Sequence, residues 1–393
     1  MMDRRILRRH GADVLRALDV QIRVGCATEH ASRPHAAIDH RACQQRSTLT
    51  LDFRDNSEDS RPIQIDHRFP AQPCSVTARN PITMPLKLDP QFGTRKTELL
   101  AHLRSRSKEL LGEVIRTFGT TQFKKRAAAI NTSLAQERDS IDSVLTQTAA
   151  KEDWPSSDHL RAKLLLMHCV NVVMLESRNS VWPYEYMAFS RRIGELWEPF
   201  VTTCFELPVD ENVTLFVPPL FDEIRERLTN EVRDFILQLS ISGKDKEALL
   251  AYYDQVWQLV TSGDIKLELD LHFIKGGVRH VVDCKSGFGS NEKGNTNRLL
   301  LVASIYRNVE PEDYRCMLFV RSAEGENNHY LQTLKNSGLW EVYCGTETYP
   351  KVLEFSGFDL GEWIAAYIDW EHDVEPSFYQ HLQDNDLTGY LTW

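Results

Sequence analysis

The stretch "KLELDLHFIKGGVRHVVDCK", residues 266–285, changes the rhythm of the chain. Upstream, apolar residues recur every three or four positions. Here Leu267, Leu269, Leu271 and Phe273 alternate with Glu268, Asp270 and His272, the period of a strand that buries one face. Gly276-Gly277 interrupts the run and "VRHVVDCK" resumes it. Two glycines suit the centre of a two-residue hairpin, because positive φ costs them nothing. In that register Asp270 stands opposite Asp283, and Glu268 opposite Lys285. Opposed side chains share a face with Cβ atoms roughly 4.5–5.5 Å apart, and Lys285 lies on the same face as Asp283. The hairpin thus gathers charges on one patch, while Leu269, Leu271, Val282 and Cys284 are expected to pack on the other.

Two carboxylates directly across a ladder repel. A divalent cation between them reverses the sign, and paired carboxylates beside a lysine suit Mg²⁺, a hard ion that takes oxygen ligands and keeps several waters. Such an ion can polarise a phosphodiester and acidify a bound water, with the lysine orienting that water. The plainer alternative is a solvated hairpin with ordinary cross-strand ion pairs, and a one-residue slip would move one carboxylate to the other face. The pattern acid-x-Lys occurs twice. The other case, Asp264-Ile265-Lys266, has no second acid placed opposite by a turn and reads as surface charge.

Around the hairpin the periodicity is helical from Thr97 to about Leu175, from Met187 to about Thr203, and in two helices between Phe221 and Val260 broken at Ser242-Gly243. "VTLFVPP" is a candidate short strand. Beyond Lys285, "SGFGSNEKGN" is too polar for a strand and too glycine-rich for a helix, so a loop is expected, with Thr296 capping a helix that runs to Tyr306. Cys316–Val320 and Leu339–Tyr343 read as strands flanking a helix at His329–Asn336. Strands and helices in this order imply an α/β layered fold. The loop is not a Walker loop, since Asn295 stands where that motif requires lysine. Ser290, Asn291, Lys293, Asn295, Asn297 and Arg298 offer donors suited to phosphates and base edges; a plain surface loop is the alternative.

Asp270 at the end of one strand, Asp283-Cys284-Lys285 on the next and a helix after it resemble the PD-(D/E)XK nuclease superfamily. Leu269 replaces that motif's proline. "IGELWEPF" supplies the G-x-x-x-E that often completes such a site, with Gly194, Trp197 and Glu198, and with Glu195 one turn away as a rival. The resemblance covers roughly residues 187 to 345. It implies a restriction-endonuclease-like mixed sheet flanked by helices. It further implies a catalytic set of Asp270, Asp283, Lys285 and Glu198, and Mg²⁺ held by Asp270, Asp283, the Cys284 carbonyl and Glu198. The activity implied is that of a type II restriction enzyme, a homodimer cutting double-stranded DNA at a specific sequence. A repair or recombination nuclease on the same core, or a non-catalytic DNA-binding protein, are the alternatives.

The expected organisation is an unstructured or non-native extension over 1–83, a helical region over 84–185, the nuclease core over 186–345 and an acidic segment over 346–393 packed on the core. The extension holds thirteen Arg and no Lys, with Met84 as a natural start. Nine acidic residues and no Lys or Arg follow Val352, accounting for all but one of the formal net charge of −10. The charge that argues against a polyanionic partner is therefore confined to one end, read as a solvated acidic surface. Eight cysteines without C-x-x-C spacing, and no apolar run of the roughly 18 residues a span requires, point to a cytoplasmic protein.

Overall fold

The computed structural model describes residues 86–119, 121–260, 265–308 and 313–393. The expectations for residues 1–83, for Met84 and for Asp264 lie outside them. Three long helices come first: α1 (Lys96–Phe118), α2 (Phe123–Lys151) and α3 (Ser156–Val181). In α1 and α2 only one stripe is buried, for example Leu99, Leu103 and Leu110, or Ile130, Leu134, Ile141 and Leu145. The apolar run Leu164 to Leu175 makes α3 buried on all sides, so it is the centre of this layer. The fourth helix, α4 (Tyr186–Glu206), follows with Ile193, Leu196, Trp197 and Phe200 buried.

The sheet has five strands in the order β1 (Thr214–Leu215), β2 (Leu271–Lys275), β3 (Val278–Lys285), β4 (Tyr314–Val320) and β5 (Trp340–Cys344). The first two pairings are antiparallel and the last two parallel. Parallel neighbours need a crossover, and α7 (Lys293–Asn308) and α8 (His329–Asn336) provide them. Between β1 and β2 the chain inserts α5 (Phe221–Gln238) and α6 (Gly243–Val260). One face of the sheet, with Val281, Cys316 and Leu318, packs with Val302 and Tyr306 of α7 and Leu331 of α8. On the other face Phe273 meets Phe205 of α4 and Phe355 of α9 (Thr348–Ser356). The result is an α/β fold with a mixed sheet covered on both faces. Three short helices end the chain: α10 (Leu360–Tyr367), α11 (Trp370–Asp373) and α12 (Pro376–Asp384). Residues 86–393 make one compact unit.

Three expectations are corrected. The alternation starting at Leu267 does not continue as strand: β2 begins at Leu271, and Leu267 and Leu269 turn to the α7 side of the sheet instead of sharing a face with Leu271. Helix α7 begins at Lys293, three residues before Thr296, which is a buried helical residue whose N–H donates to the Glu292 carbonyl at 2.8 Å. The loop is cut short because Phe288 is buried, its N–H donating to Asn327 Oδ1 at 2.7 Å. Gly294 and Asn295 cost little in a first turn, where amides lack intrahelical acceptors in any case. Finally, the acidic terminus is not wholly solvated. Asp373 is buried, accepting from His168 at 2.7 Å and pairing with Lys96 at 2.6 Å. "VTLFVPP" contains β1, a strand of two residues only.

Candidate functional site

Gly276 and Gly277 both have positive φ, +61° and +81°, as a two-residue hairpin of this twist requires. They set the register Leu271 opposite Val282 and Phe273 opposite His280. One step further would pair Asp270 with Asp283 through the backbone, but the chain bends there. His272 Nε2 accepts the Leu269 N–H at 2.9 Å, and Asp270 Oδ2 accepts the Cys284 N–H at 2.6 Å. The Asp270 carboxylate thus takes an amide at the end of the ladder. His272 can accept because burial pushes its pKa down to about 4, leaving the ring neutral.

Asp283 lies between β2 and β4, beside Leu318, and its side chain is 1% exposed. Lys285 Nζ stands 2.6 Å from Asp283 Oδ2 and 3.8 Å from Asp270 Oδ2, and donates to the Cys284 carbonyl at 3.1 Å. The ammonium therefore sits among three oxygens: two carboxylates and a main-chain carbonyl. Burial works against its charge, but Asp283 and Asp270 outweigh that and raise its pKa. Burial pushes the Asp283 carboxyl up, opposed chiefly by Lys285. A second cation reaches the same carboxylate, Arg298 Nη2 standing 3.4 Å from Asp283 Oδ1.

Gly194 explains how α4 comes close. A Cβ built there would fall 2.4 Å from Ser286 Oγ and 2.5 Å from Ser286 Cβ, so only glycine lets the helix rest on the residue that follows Lys285. Glu198 is one turn along the same face. It is half-buried, and its pKa is raised by that burial and by Asp270 and Asp283, with Lys285 opposing. Glu195, by contrast, is drawn outward to Arg191 at 2.8 Å and Arg192 at 3.4 Å. Glu268 is exposed and outside the strand, so it does not join the patch.

Of the loop donors, Ser290 and Asn291 are exposed in a turn, Lys293 and Asn297 are exposed on the first turns of α7, and Asn295 is tied to Glu292 Oε2 at 3.1 Å. Arg298 alone of the six contacts the carboxylate cluster. Sequence reasoning missed that contact, and also His272 and Arg321, whose Nε donates to Ser286 Oγ at 3.3 Å. A polar residue adjacent to the motif, His272 two positions after Asp270, was the available signal.

Compared with protein-family models, with curated proteins and with solved structures, the chain shows no match. Among the described residues, no three His, Cys, Asp or Glu side chains are gathered closely enough to hold a metal ion. Glu198 is not drawn into a ligand set with the two aspartates. What the residues do offer is Asp270, Asp283 and the Cys284 carbonyl around one positive charge. This is an all-oxygen donor set with few protein ligands, which fits Mg²⁺ better than zinc or copper. No helix among the described residues is long and apolar enough to cross a membrane.

Proposed function

We propose that the protein is a Mg²⁺-dependent endonuclease of the PD-(D/E)XK kind that hydrolyses phosphodiester bonds of double-stranded DNA at a specific sequence, acting as a homodimer. The observation that carries this reading is the ring of Asp270, Asp283 and Cys284 oxygens around the Lys285 ammonium, at 3.8, 2.6 and 3.1 Å. A monovalent cation of this chain occupies the place where the motif would seat a divalent one. The element order also supports it: a helix with Glu198, an antiparallel hairpin that carries Asp283 and is preceded by Asp270, a crossover helix and a parallel strand. Five described cysteines are free and buried, which suits a reducing, cytoplasmic setting.

Asp270, Asp283 and the Cys284 carbonyl would hold the ion. When bound, Mg²⁺ would polarise the phosphodiester and make its coordinated water more acidic. Lys285, held as an ammonium by Asp283 and Asp270 before the ion binds, would serve as a donor that orients the attacking water and stabilises developing negative charge. Glu198 holds water at the mouth of the site, with a pKa raised by burial and by Asp270. In-line attack of water on phosphorus would break the P–O3′ bond, leaving a 5′-phosphate and a 3′-hydroxyl that takes its proton from solvent.

The test is incubation of the purified protein with long duplex DNA, with and without Mg²⁺, for wild type and Lys285→Ala. Discrete fragments only from wild type with Mg²⁺ are expected, the variant losing about 100-fold or more. Equal cleavage by the variant, or none by either protein across varied sequences, would remove the reading.

A further inference from the structure

Asp283 is served by two cations, Lys285 on Oδ2 and Arg298 on Oδ1. With Asp270 3.8 Å from the same Lys285, two carboxylates face two cations and the cluster is balanced. The two contacts differ in kind. Lys285 approaches to 2.6 Å from the same strand, whereas Arg298 meets a single oxygen with one nitrogen at 3.4 Å. Bidentate guanidinium–carboxylate pairs close to about 2.7–2.9 Å, so this one is loose. The Arg298 side chain is 38% exposed, against 1% for Asp283, so its fork of donors reaches from solvent to the bottom of the site. It rises from the second turn of α7, the helix that follows the exposed turn of Ser290 and Asn291.

Resting on the nuclease reading of this site, we infer that Arg298 grips a non-bridging oxygen of the scissile phosphate, and that it is freed to do so when a divalent cation takes up the charge of Asp283. With no such ion, Lys285 and Arg298 are both spent on neutralising Asp283 and Asp270, and the site has little attraction for a phosphate. With the ion, both cations are surplus and the phosphodiester supplies the missing negative charge. Arg298 is thus a phosphate-binding residue that couples cation binding to DNA binding, and such coupling acts equally in both directions.

The consequence has opposite signs for the two ligands. Removing Arg298 takes away a rival for Asp283 and helps the metal, yet it takes away a grip on the phosphate and hurts DNA. The experiment compares wild type, Arg298→Gln and Arg298→Lys by calorimetric titration with Mg²⁺ alone, and by duplex DNA affinity in Ca²⁺ and in chelator. For Arg298→Gln, Mg²⁺ should bind about threefold tighter or more, and DNA in Ca²⁺ about fivefold weaker or more, with affinity in chelator unchanged. Arg298→Lys keeps the charge and should hold Mg²⁺ affinity at the wild-type value while losing part of the DNA effect, because an ammonium lacks the fork. Unchanged or weaker Mg²⁺ binding in Arg298→Gln, or DNA affinity lost equally in Ca²⁺ and chelator, would overturn the inference while leaving the nuclease intact. Wild type that neither binds Mg²⁺ nor cuts DNA would remove the parent reading, and this one with it.

Discussion

Two aspartates of the same site are held in different ways, and the difference separates chemistry from stability. Asp270 is at a bend, its side chain 25% exposed, and it accepts one backbone amide. Asp283 is buried and compensates Lys285 and Arg298. Asp270→Asn keeps an oxygen to accept the Cys284 N–H, so cleavage should disappear while the melting temperature stays within about 2 °C of wild type. Asp283→Ala leaves two cations facing a buried void and should cost about 3–5 kcal/mol in denaturant melts as well as all cleavage. Equal stability losses in the two variants would contradict this division. The three charged positions were legible in the sequence because two adjacent glycines fix a hairpin register without further information. The bend at Asp270 was not legible. Leu267 and Leu269 continue the two-residue period through it, while the side chains of His272 and Asp270 take backbone amides at the bend. Arg298 was recognised as a donor but not as a partner of Asp283, because a long side chain reaching back from a helix leaves no trace in residue spacing.

At the scale of elements, the site depends on how closely one helix approaches the end of one strand. Gly194→Ala would place a methyl 2.4–2.5 Å from Ser286, a separation that atoms do not tolerate. Either α4 or β3 must move, at a cost of about 1–3 kcal/mol. Glu198 then withdraws from Asp270 and Asp283, so cleavage should fall by about tenfold or more, given how steeply rate depends on placement. Gly194→Ala combined with Ser286→Gly should restore much of it. No recovery would show that the glycine serves another purpose. The helices on either side were read well from their three-to-four-residue spacing, α8 to the residue. The start of α7 was misread, because Gly294 and Asn295 argue against a helix everywhere except in a first turn.

In the molecule as a whole, the C-terminal segment is fastened to the helical layer by buried charge. Asp373 of α11 binds His168 of α3 and Lys96 of α1, and Arg104 of α1 pairs with Glu176 at 2.6 Å while donating to the Asp373 carbonyl at 2.5 Å. Asp373→Ala should cost about 3–5 kcal/mol, measured by urea unfolding, although it lies on a different element from any catalytic group. Histidines set the response to acid. Burial pushes His272 and His280 down to about 4 from the ordinary 6.5. The unfolded chain therefore takes up these protons first. The stability these two neutral rings contribute is present above pH 6.5 and is lost as pH falls from 6.5 through 4, by a few kcal/mol in total. His280→Phe, stacked on Phe273 as the histidine is, should flatten the decline; an unchanged slope between pH 7 and 4.5 would contradict the assignment. From composition, the acidic terminus looked like a solvated face, since a count of charges cannot reveal that one of nine is enclosed.

The ammonium of Lys285 resting among three oxygens has a consequence for the order of assembly. Many ion sites are clusters of like charge that the chain can close only after its ion arrives. Under the function proposed above, this one would carry its own placeholder, so the polypeptide would reach its native form without magnesium. Chelator should leave the folding transition almost where it was.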